Sequence, residues 1–353
     1  MRQTGWRDVL PLLTLHPLLT RHGGIELSEF NILCIGQAGR LQYEAVLLAA
    51  SLRANSPGFK GRLLIATPRP GPRWPGMNPE LTDPATLALL ADLGAEVIPF
   101  DSRAFGASYP HGNKIEALAH IPDAPFLFLD TDTLITGELS TLTPDFSRPT
   151  ASMKREGTWP QIDLYGPGYT EIWASLYARF GLDFQSSLDL TQPDEYWQRY
   201  LYFNAGWFLY ESPHRFGALF LKYATEIAKR PGAELACQVL DPWLDQVALP
   251  LVIHSLGGGR PGPDLAGLDG ALTCHWRILP LFFARESDAT VAAMDRVAAD
   301  PRVAAVLKDY PPFRKMLYKG QGQEVRALFD RANLPRKEQA IRNAIKRAGL
   351  WVR

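Results

Sequence analysis

The stretch FLFLDTDTLI, residues 126–135, decides the fold. Its first four residues are uninterrupted and apolar, the pattern of a strand buried on both faces. Two carboxylates, Asp130 and Asp132, follow where that strand ends, with Thr131 between them. In an open α/β sheet, ligands collect outside the carboxyl ends of the strands. Two acids placed there repel one another unless a positive charge stands between them. A divalent cation that also grips a diphosphate meets both needs, because hard cations take oxygen ligands and bridge phosphate oxygens. A bare D-x-D equally suits a strand end whose acids cap a helix or stand in water, so the neighbouring sequence has to decide.

Upstream, NILCI (31–35) is a short buried strand and GQAG (36–39) its turn. Leu41, Ala45, Leu48, Ala49 and Leu52 recur at helical spacing, which predicts a helix over 41–54. RLLIA (62–66) is a second strand, and the Pro- and Gly-rich 68–79 a loop. A helix over 83–93 ends at Gly94, and a third strand (96–100) and a helix (113–119) follow. Strands alternating with helices imply right-handed crossovers and a mainly parallel, doubly wound α/β sheet. The GQAG turn is neither G-x-G-x-x-G nor G-x-x-x-x-G-K-[ST], so neither a dinucleotide dehydrogenase nor a P-loop enzyme is supported.

Downstream, 133–135 continues extended and 150–153 reads as another strand. The segment 154–198 reads as irregular, with Trp159, Tyr165, Tyr169, Trp173 and Tyr177, and suits either an acceptor-specific insert or cover for a core. A strand over 203–210 contains the small pair Ala205 and Gly206, and a helix opens at Ser212 or Pro213 and runs to Lys229. A short helix is expected over 241–248, a strand over 251–254, a flexible loop over 257–263 and a last strand over 272–277.

Composition sets the outer limits. The chain has 353 residues with 37 acidic and 37 basic side chains, so no whole-molecule field points to nucleic acid as a partner. Cys34, Cys237 and Cys274 have no C-x-x-C spacing, which fits a reducing cytoplasm and no disulfide framework. No apolar run reaches membrane-spanning length. Residues 9–19 are apolar behind Arg2 and Arg7, but Pro11, His16 and Pro17 interrupt them and no small-x-small cleavage site follows. The expected organisation is an N-terminal extension (1–30), a catalytic domain (31–285) and a helical, basic C-terminal region (286–353). From Arg302 onward there are 13 Lys and Arg against 4 Asp and Glu, a net of +9, with helices expected over 302–308, 324–332 and 337–348. Such a tail either docks peripherally on anionic lipid at the inner face of a membrane or forms a solvated face against the domain. The oligomeric state is open.

Four stretches complete the reading: HGNKIEAL with Lys114, FLFLDTDTLI, YFNAGWFLY with Asn204, and WLDQVAL with Asp245 and Gln246. In this order and spacing they resemble the nucleotide-diphospho-sugar glycosyltransferases of the A-type (GT-A) fold. The likeness is greatest to the glycogenin-like and lipopolysaccharide galactosyl- and glucosyltransferase family, and covers roughly residues 31–277. SLR at 51–53 fits as well. The resemblance implies a Rossmann-like GT-A domain and a metal-dependent hexosyltransferase. Its donor would be a nucleoside diphosphate sugar, UDP-linked, and its acceptor a glycan, lipid-linked saccharide or protein, with retention of configuration.

Residue by residue, the resemblance implies that Asp130 and Asp132 hold Mn²⁺ or Mg²⁺ and that Thr131 lies in the donor site. Lys114 would stand near the donor sugar and phosphates. Asn204, Ala205 and Gly206 would line the sugar pocket, Asp245 and Gln246 would face the reacting sugar, and Ile35, Gln37 and Ala38 would receive base and ribose. The family's third metal ligand is a His in a late strand, followed by G-x-x-K-P-W. His275 in CHWR is the match by position, with His254 as the alternative ligand. The K-P-W is absent, which removes the usual cation from the leaving phosphate, and Arg277 is a candidate substitute.

Rival readings are weaker on their own motifs. A phosphohydrolase of the haloacid dehalogenase type needs D-x-D-G-[TV]-[LI] after its first strand, whereas Thr133 and Leu134 stand here and three strand–helix units come first. A sugar-1-phosphate nucleotidyltransferase needs a Gly-rich, cationic loop that GQAGRLQ resembles poorly. A non-catalytic sugar-nucleotide or glycan-binding scaffold stays open because of the missing K-P-W.

Overall fold

Alternation along the first buried strands explains the layering. In β1 (Asn31–Ile35), β2 (Leu63–Pro68) and β4 (Phe126–Leu129), successive side chains point to opposite faces. Ile32, Cys34, Ile65, Leu127 and Leu129 enter one hydrophobic cluster, while Leu33, Leu64, Phe126 and Phe128 enter a second. Both faces are therefore dry, as a sheet covered by helices on both sides requires. The computed structural model describes residues 29–154 and 159–352. The segment expected as an N-terminal extension lies outside the described residues except for its last two.

With β3 (Ala95–Phe100), β6 (Thr150–Ser152) and β7 (Asn204–Tyr210), a six-stranded sheet forms in the order β3-β2-β1-β4-β7-β6. β3, β2, β1 and β4 are parallel neighbours. β7 runs antiparallel to β4, and β6 antiparallel to β7. This is the expected mixed, mainly parallel sheet flanked by helices. A second ladder pairs β5 (Thr133–Ile135) with β8 (Thr273–His275), antiparallel, with Thr133 opposite His275. That ladder carries a residue 143 positions downstream of Asp132 back to the mouth of β4.

Helices α1 (Arg40–Asn55) and α2 (Pro84–Asp92) precede β2 and β3. Asp83 caps α2, accepting from the Thr86 amide at 2.8 Å, with Pro84 at the first helical position. The single turn α3 (Asn113–Glu116) leads through 117–119 towards β4. Helix α5 (Pro213–Lys229), capped by Ser212, packs beside α6 (Leu244–Ser255) on the second face.

Two expectations are corrected. Residues 251–254 are not a strand but the end of α6, which continues through Pro250. A short apolar run reads alike as a buried strand or a buried helix segment. Burial of Val247–Ile253 against α5 and β7 outweighs the internal hydrogen bond that Pro250 removes. Residues 154–198 are not wholly irregular, because α4 (Tyr169–Arg179) lies within them and buries Ile172, Trp173, Leu176 and Tyr177. Their helical spacing was visible, but the surrounding Gly, Pro and polar residues masked it. Trp159 is also core, whereas Tyr165 is 96% exposed.

The C-terminal region folds into the first cluster. Following α7 (Leu279–Arg285), the last helix before residue 286, it comprises α8 (Asp288–Ala298), α9 (Pro301–Leu307), α10 (Pro311–Phe313), α11 (Gln321–Ala327) and α12 (Glu338–Arg347). Helices α8 and α9 lie on α1, and α11 and α12 lie on α7. Ile341, Ile345 and Leu350 point inward, and Arg342 and Lys346 lie over the Trp351 ring. Among the described residues, no helix is long and apolar enough to cross a membrane.

An aromatic stack ties β4 to the second face. Phe208 lies on Phe128 at 4.6 Å between centroids and on Phe216 at 5.3 Å. Truncating Phe208→Ala leaves a cavity under the site-bearing strand and is expected to cost about 3–5 kcal/mol in urea unfolding. A loss below about 1 kcal/mol would contradict this role for the stack.

Candidate active site

The site begins where β4 stops. Asp130 keeps its backbone tied to the sheet, its amide donating to the Gly206 carbonyl at 2.8 Å. Asp132 is held from the other side, its carbonyl accepting from the Trp276 amide at 2.9 Å. The two carboxylates thereby face His275 at the end of β8. The His275 Nε2 lies 3.1 Å from Asp132 Oδ1 and 3.8 Å from Asp130 Oδ2. Asp130, Asp132 and His275 each offer one atom within 4.8 Å of the others. A carboxylate–carboxylate–imidazole set of this size fits a divalent metal ion.

His275 reaches this position because Gly206 has no side chain. A Cβ there would sit 2.4 Å from the His275 Nδ1 and 3.0 Å from the Asn204 Oδ1. The close approach expected at this glycine is therefore made by the imidazole. Gly206 itself lines neither cavity described below.

Lys114 is the buried cation that ties the acids of the site together. Its buried Nζ lies 2.8 Å from Asp130 Oδ1 and 3.3 Å from Asp245 Oδ2, and donates to the Ala205 carbonyl at 3.1 Å. An ammonium has three hydrogens, and three protein acceptors surround this one. Burial disfavours its charge, but Asp130 and Asp245 outweigh burial and raise its pKa above the ordinary lysine value. For Asp132, burial is outweighed by His275, Arg40 and Lys114, which hold the carboxyl well below the usual range. Burial dominates at Asp130 and raises its pKa against the pull of Lys114.

Asp245, 2% exposed, is further fixed by Tyr109, whose hydroxyl donates to its Oδ1 at 2.9 Å and accepts from its amide at 2.9 Å. Gln246 is less buried, and its Oε1 accepts from the Tyr202 hydroxyl at 2.6 Å.

Two adjoining cavities meet over these residues. One, of about 380 Å³, is lined by Asn204, Ala205, Asp245, Gln246, His275 and Arg277 among others. The other, of about 350 Å³, is lined by Ile35, Gln37, Ala38 and Thr131. Arg40, His111, Lys114, Asp130 and Asp132 border both. The residues read from sequence as base, sugar and metal contacts are thus brought together, although they come from six separate parts of the chain. His254 is not among them. It ends α6 beside Tyr177 and Ser186, 3.4 Å from the Ser186 hydroxyl.

Sequence reasoning missed Tyr109, Arg40 and Glu44. Glu44 is 1% exposed in the wall of the first cavity and accepts from Arg40 Nη1 at 2.7 Å. Burial first and Asp132 second push its carboxyl up to about 8, with Arg40 pulling the other way. The i, i+4 spacing of Arg40 and Glu44 marked a pair, but nothing local showed that it faced the acids. Also missed were Tyr310 and Phe313 from the C-terminal region, which line the first cavity.

Residues 32–257 match the family described as the Rhodobacterales glycosyltransferase domain. A search of curated proteins found no match. Among solved structures, the galactosyltransferase LgtC, in complex with donor and acceptor sugar analogues, aligns at 15% identity and a TM-score of 0.40, over 88% of this chain and 100% of that one. The glycosyltransferase GlyE of Streptococcus pneumoniae TIGR4 aligns at 12% identity and a TM-score of 0.42, over 82% of this chain and 65% of that one. For the bifunctional WbbM apo structure the values are 12%, 0.39, 84% and 52%. The family match spans more than half of the chain and contains Lys114, the Asp130–Asp132 pair, Asn204 and Asp245, and the chain belongs to the Rhodobacterales glycosyltransferase domain family.

Proposed function

We propose that this glycosyltransferase moves a hexosyl group from a UDP-sugar to a hydroxyl of a glycan acceptor, with retention at the anomeric carbon and a divalent cation on the donor diphosphate. The observation that carries the reading is the Asp130–Asp132–His275 cluster, whose two acids border both cavities, each large enough for part of a nucleotide sugar. Base and ribose occupy the cavity of Ile35, Gln37 and Ala38. The hexose occupies the cavity of Asn204, Ala205 and Gln246. Asp130, Asp132 and His275 hold the cation, Mn²⁺ or Mg²⁺, which when bound neutralises charge on the diphosphate.

The chain's own groups do the rest. Lys114 fixes Asp130 and Asp245 by bonding to both. Asp245 stands behind the sugar, and Gln246, held by Tyr202, presents its amide to the anomeric centre as positive charge builds there. Trp243 and Trp276 give the hexose and acceptor apolar walls. The acids lining the first cavity are Glu44, Asp130, Asp132 and Asp245; Glu44 is bonded to Arg40, Asp130 and Asp245 to Lys114, and Asp132 lies against His275. Each is thus engaged within the protein rather than set to draw a proton from an acceptor approaching opposite the leaving group. The departing diphosphate can take that proton on its own face of the sugar, which supports retention.

A thermal-shift screen of UDP, GDP and CDP and their sugars, with and without Mn²⁺, tests the donor class. Stabilisation by UDP that needs Mn²⁺ is the expected outcome, and a metal-independent or absent response would overturn it. Asp130→Ala and Asp132→Ala should each abolish Mn²⁺-dependent UDP binding and donor turnover while far-UV circular dichroism stays unchanged. Wild-type turnover in both variants would count against the reading. Gly206→Ala should push His275 from its place and weaken Mn²⁺ affinity by at least tenfold in a calorimetric titration; an unaltered affinity would remove His275 from the ligand set. The anomeric configuration of the first-formed product, followed by NMR, decides the stereochemistry: retention is expected, and an inverted product would refute the proton route given above.

A further inference from the structure

A departing nucleoside diphosphate needs more positive charge than one divalent ion supplies, and the K-P-W lysine is missing. Lys114 does not fill the gap, because its three hydrogens already serve Asp130, Asp245 and the Ala205 carbonyl. Arg277 borders the sugar cavity but not the nucleotide cavity. Arg40 borders both, as do Asp130 and Asp132.

Its setting is built for that task. Arg40 opens α1, a helix of 16 residues with no acid in its first turn, and Gly39 ahead of it gives no side-chain cap. The positive end of the helix therefore adds to the charge of the guanidinium. Glu44 takes one guanidinium nitrogen at 2.7 Å and fixes its plane, while the Arg40 side chain stays 48% exposed towards the cavities. A planar guanidinium keeps further donors in a fork that matches two phosphate oxygens. Burying Glu44 to 1% exposure is costly without a partner, and this pairing orients Arg40 in return.

Building on the glycosyltransferase reading above, we infer that Arg40 is a catalytic residue that grips the leaving diphosphate, and that Glu44 is the positioning residue that aims it. In the transfer, the bond from the anomeric carbon to the β-phosphate oxygen breaks with both electrons going to that oxygen. The acceptor oxygen bonds to the anomeric carbon, and the acceptor's proton passes to the departing diphosphate. Arg40 stabilises the charge that gathers on the β-phosphate in this step.

Calorimetric titration of UDP and UMP, each with and without Mn²⁺, tests the inference apart from turnover. Wild-type protein should bind UDP more tightly than UMP. Arg40→Ala should lose roughly 10- to 100-fold in UDP affinity, the range for a charge-assisted hydrogen bond, with UMP affinity nearly unchanged. Arg40→Lys should recover part of the loss. Because Arg40→Ala leaves Glu44 buried without its guanidinium partner, the double variant Arg40→Ala/Glu44→Gln repeats the measurement without that carboxyl. Glu44→Gln alone should lower kcat more than it raises KM, since a loosened guanidinium matters most as the leaving group develops. Equal UDP and UMP affinities for wild type and both Arg40→Ala variants would overturn the inference while leaving the glycosyltransferase reading intact. Wild-type protein that binds no nucleotide and turns over no sugar donor would overturn that reading itself.

Discussion

A single buried ammonium organises this molecule. Lys114 rises from the one-turn helix α3 and meets the mouth of β4 through Asp130, the start of α6 through Asp245 and the backbone of β7 through Ala205. Its Nζ lies 5.3 Å from the centre of the Phe128 ring, the last aromatic step of β4 before the acids begin. Each of these carboxylates would be expensive to bury by itself, and removing one partner of such a group strands the others. The packing of α3 and α6 onto the sheet and the charge balance of the site are therefore one constraint.

The second ladder works to the same end by different means. Strands β5 and β8 are short, yet they return the chain to Asp132 and deliver His275 beside it. Backbone geometry is used sparingly and where it counts. Gly206 leaves the volume that the imidazole fills, and Arg277, two residues past His275, adopts a positive φ of 57° as the chain leaves β8. For a non-glycine residue that conformation is uncommon and is often found where surrounding structure holds a functional segment in place.

The C-terminal region is part of the same body. Tyr310 stacks on Tyr43 of α1 at 5.1 Å, and Phe313 lies 6.0 Å from the Trp276 ring. Both Tyr310 and Phe313 line the first of the two cavities over the site. The apolar face of α12, which from sequence suited either lipid or the domain, is spent inward through Ile341 and Ile345. The basic side chains remain outside it, two of them packed on Trp351.

Much of this was legible in the chain alone. Strands such as NILCI and FLFL are short uninterrupted apolar runs with turn residues beyond them, and local periodicity suffices to place them. The Asp130–Asp132 pair, Lys114, Asn204 and Asp245 could be named because their spacing resembles a family. Where local pattern is degenerate the reading failed: LPLVI suits strand and helix equally, and it is part of α6 because α5 and β7 bury 247–253. Arg40, Glu44 and Tyr109 could not be assigned, since a charge pair on a helix and a tyrosine in a loop look ordinary until the sheet is assembled. Which residue fills the gap left by the absent K-P-W motif is likewise invisible in one dimension. Hydrophobic period is a property of neighbours in sequence, whereas a site is a property of neighbours in space, and only the tertiary structure brings β4, β7, β8 and the ends of α1, α3 and α6 to a common point.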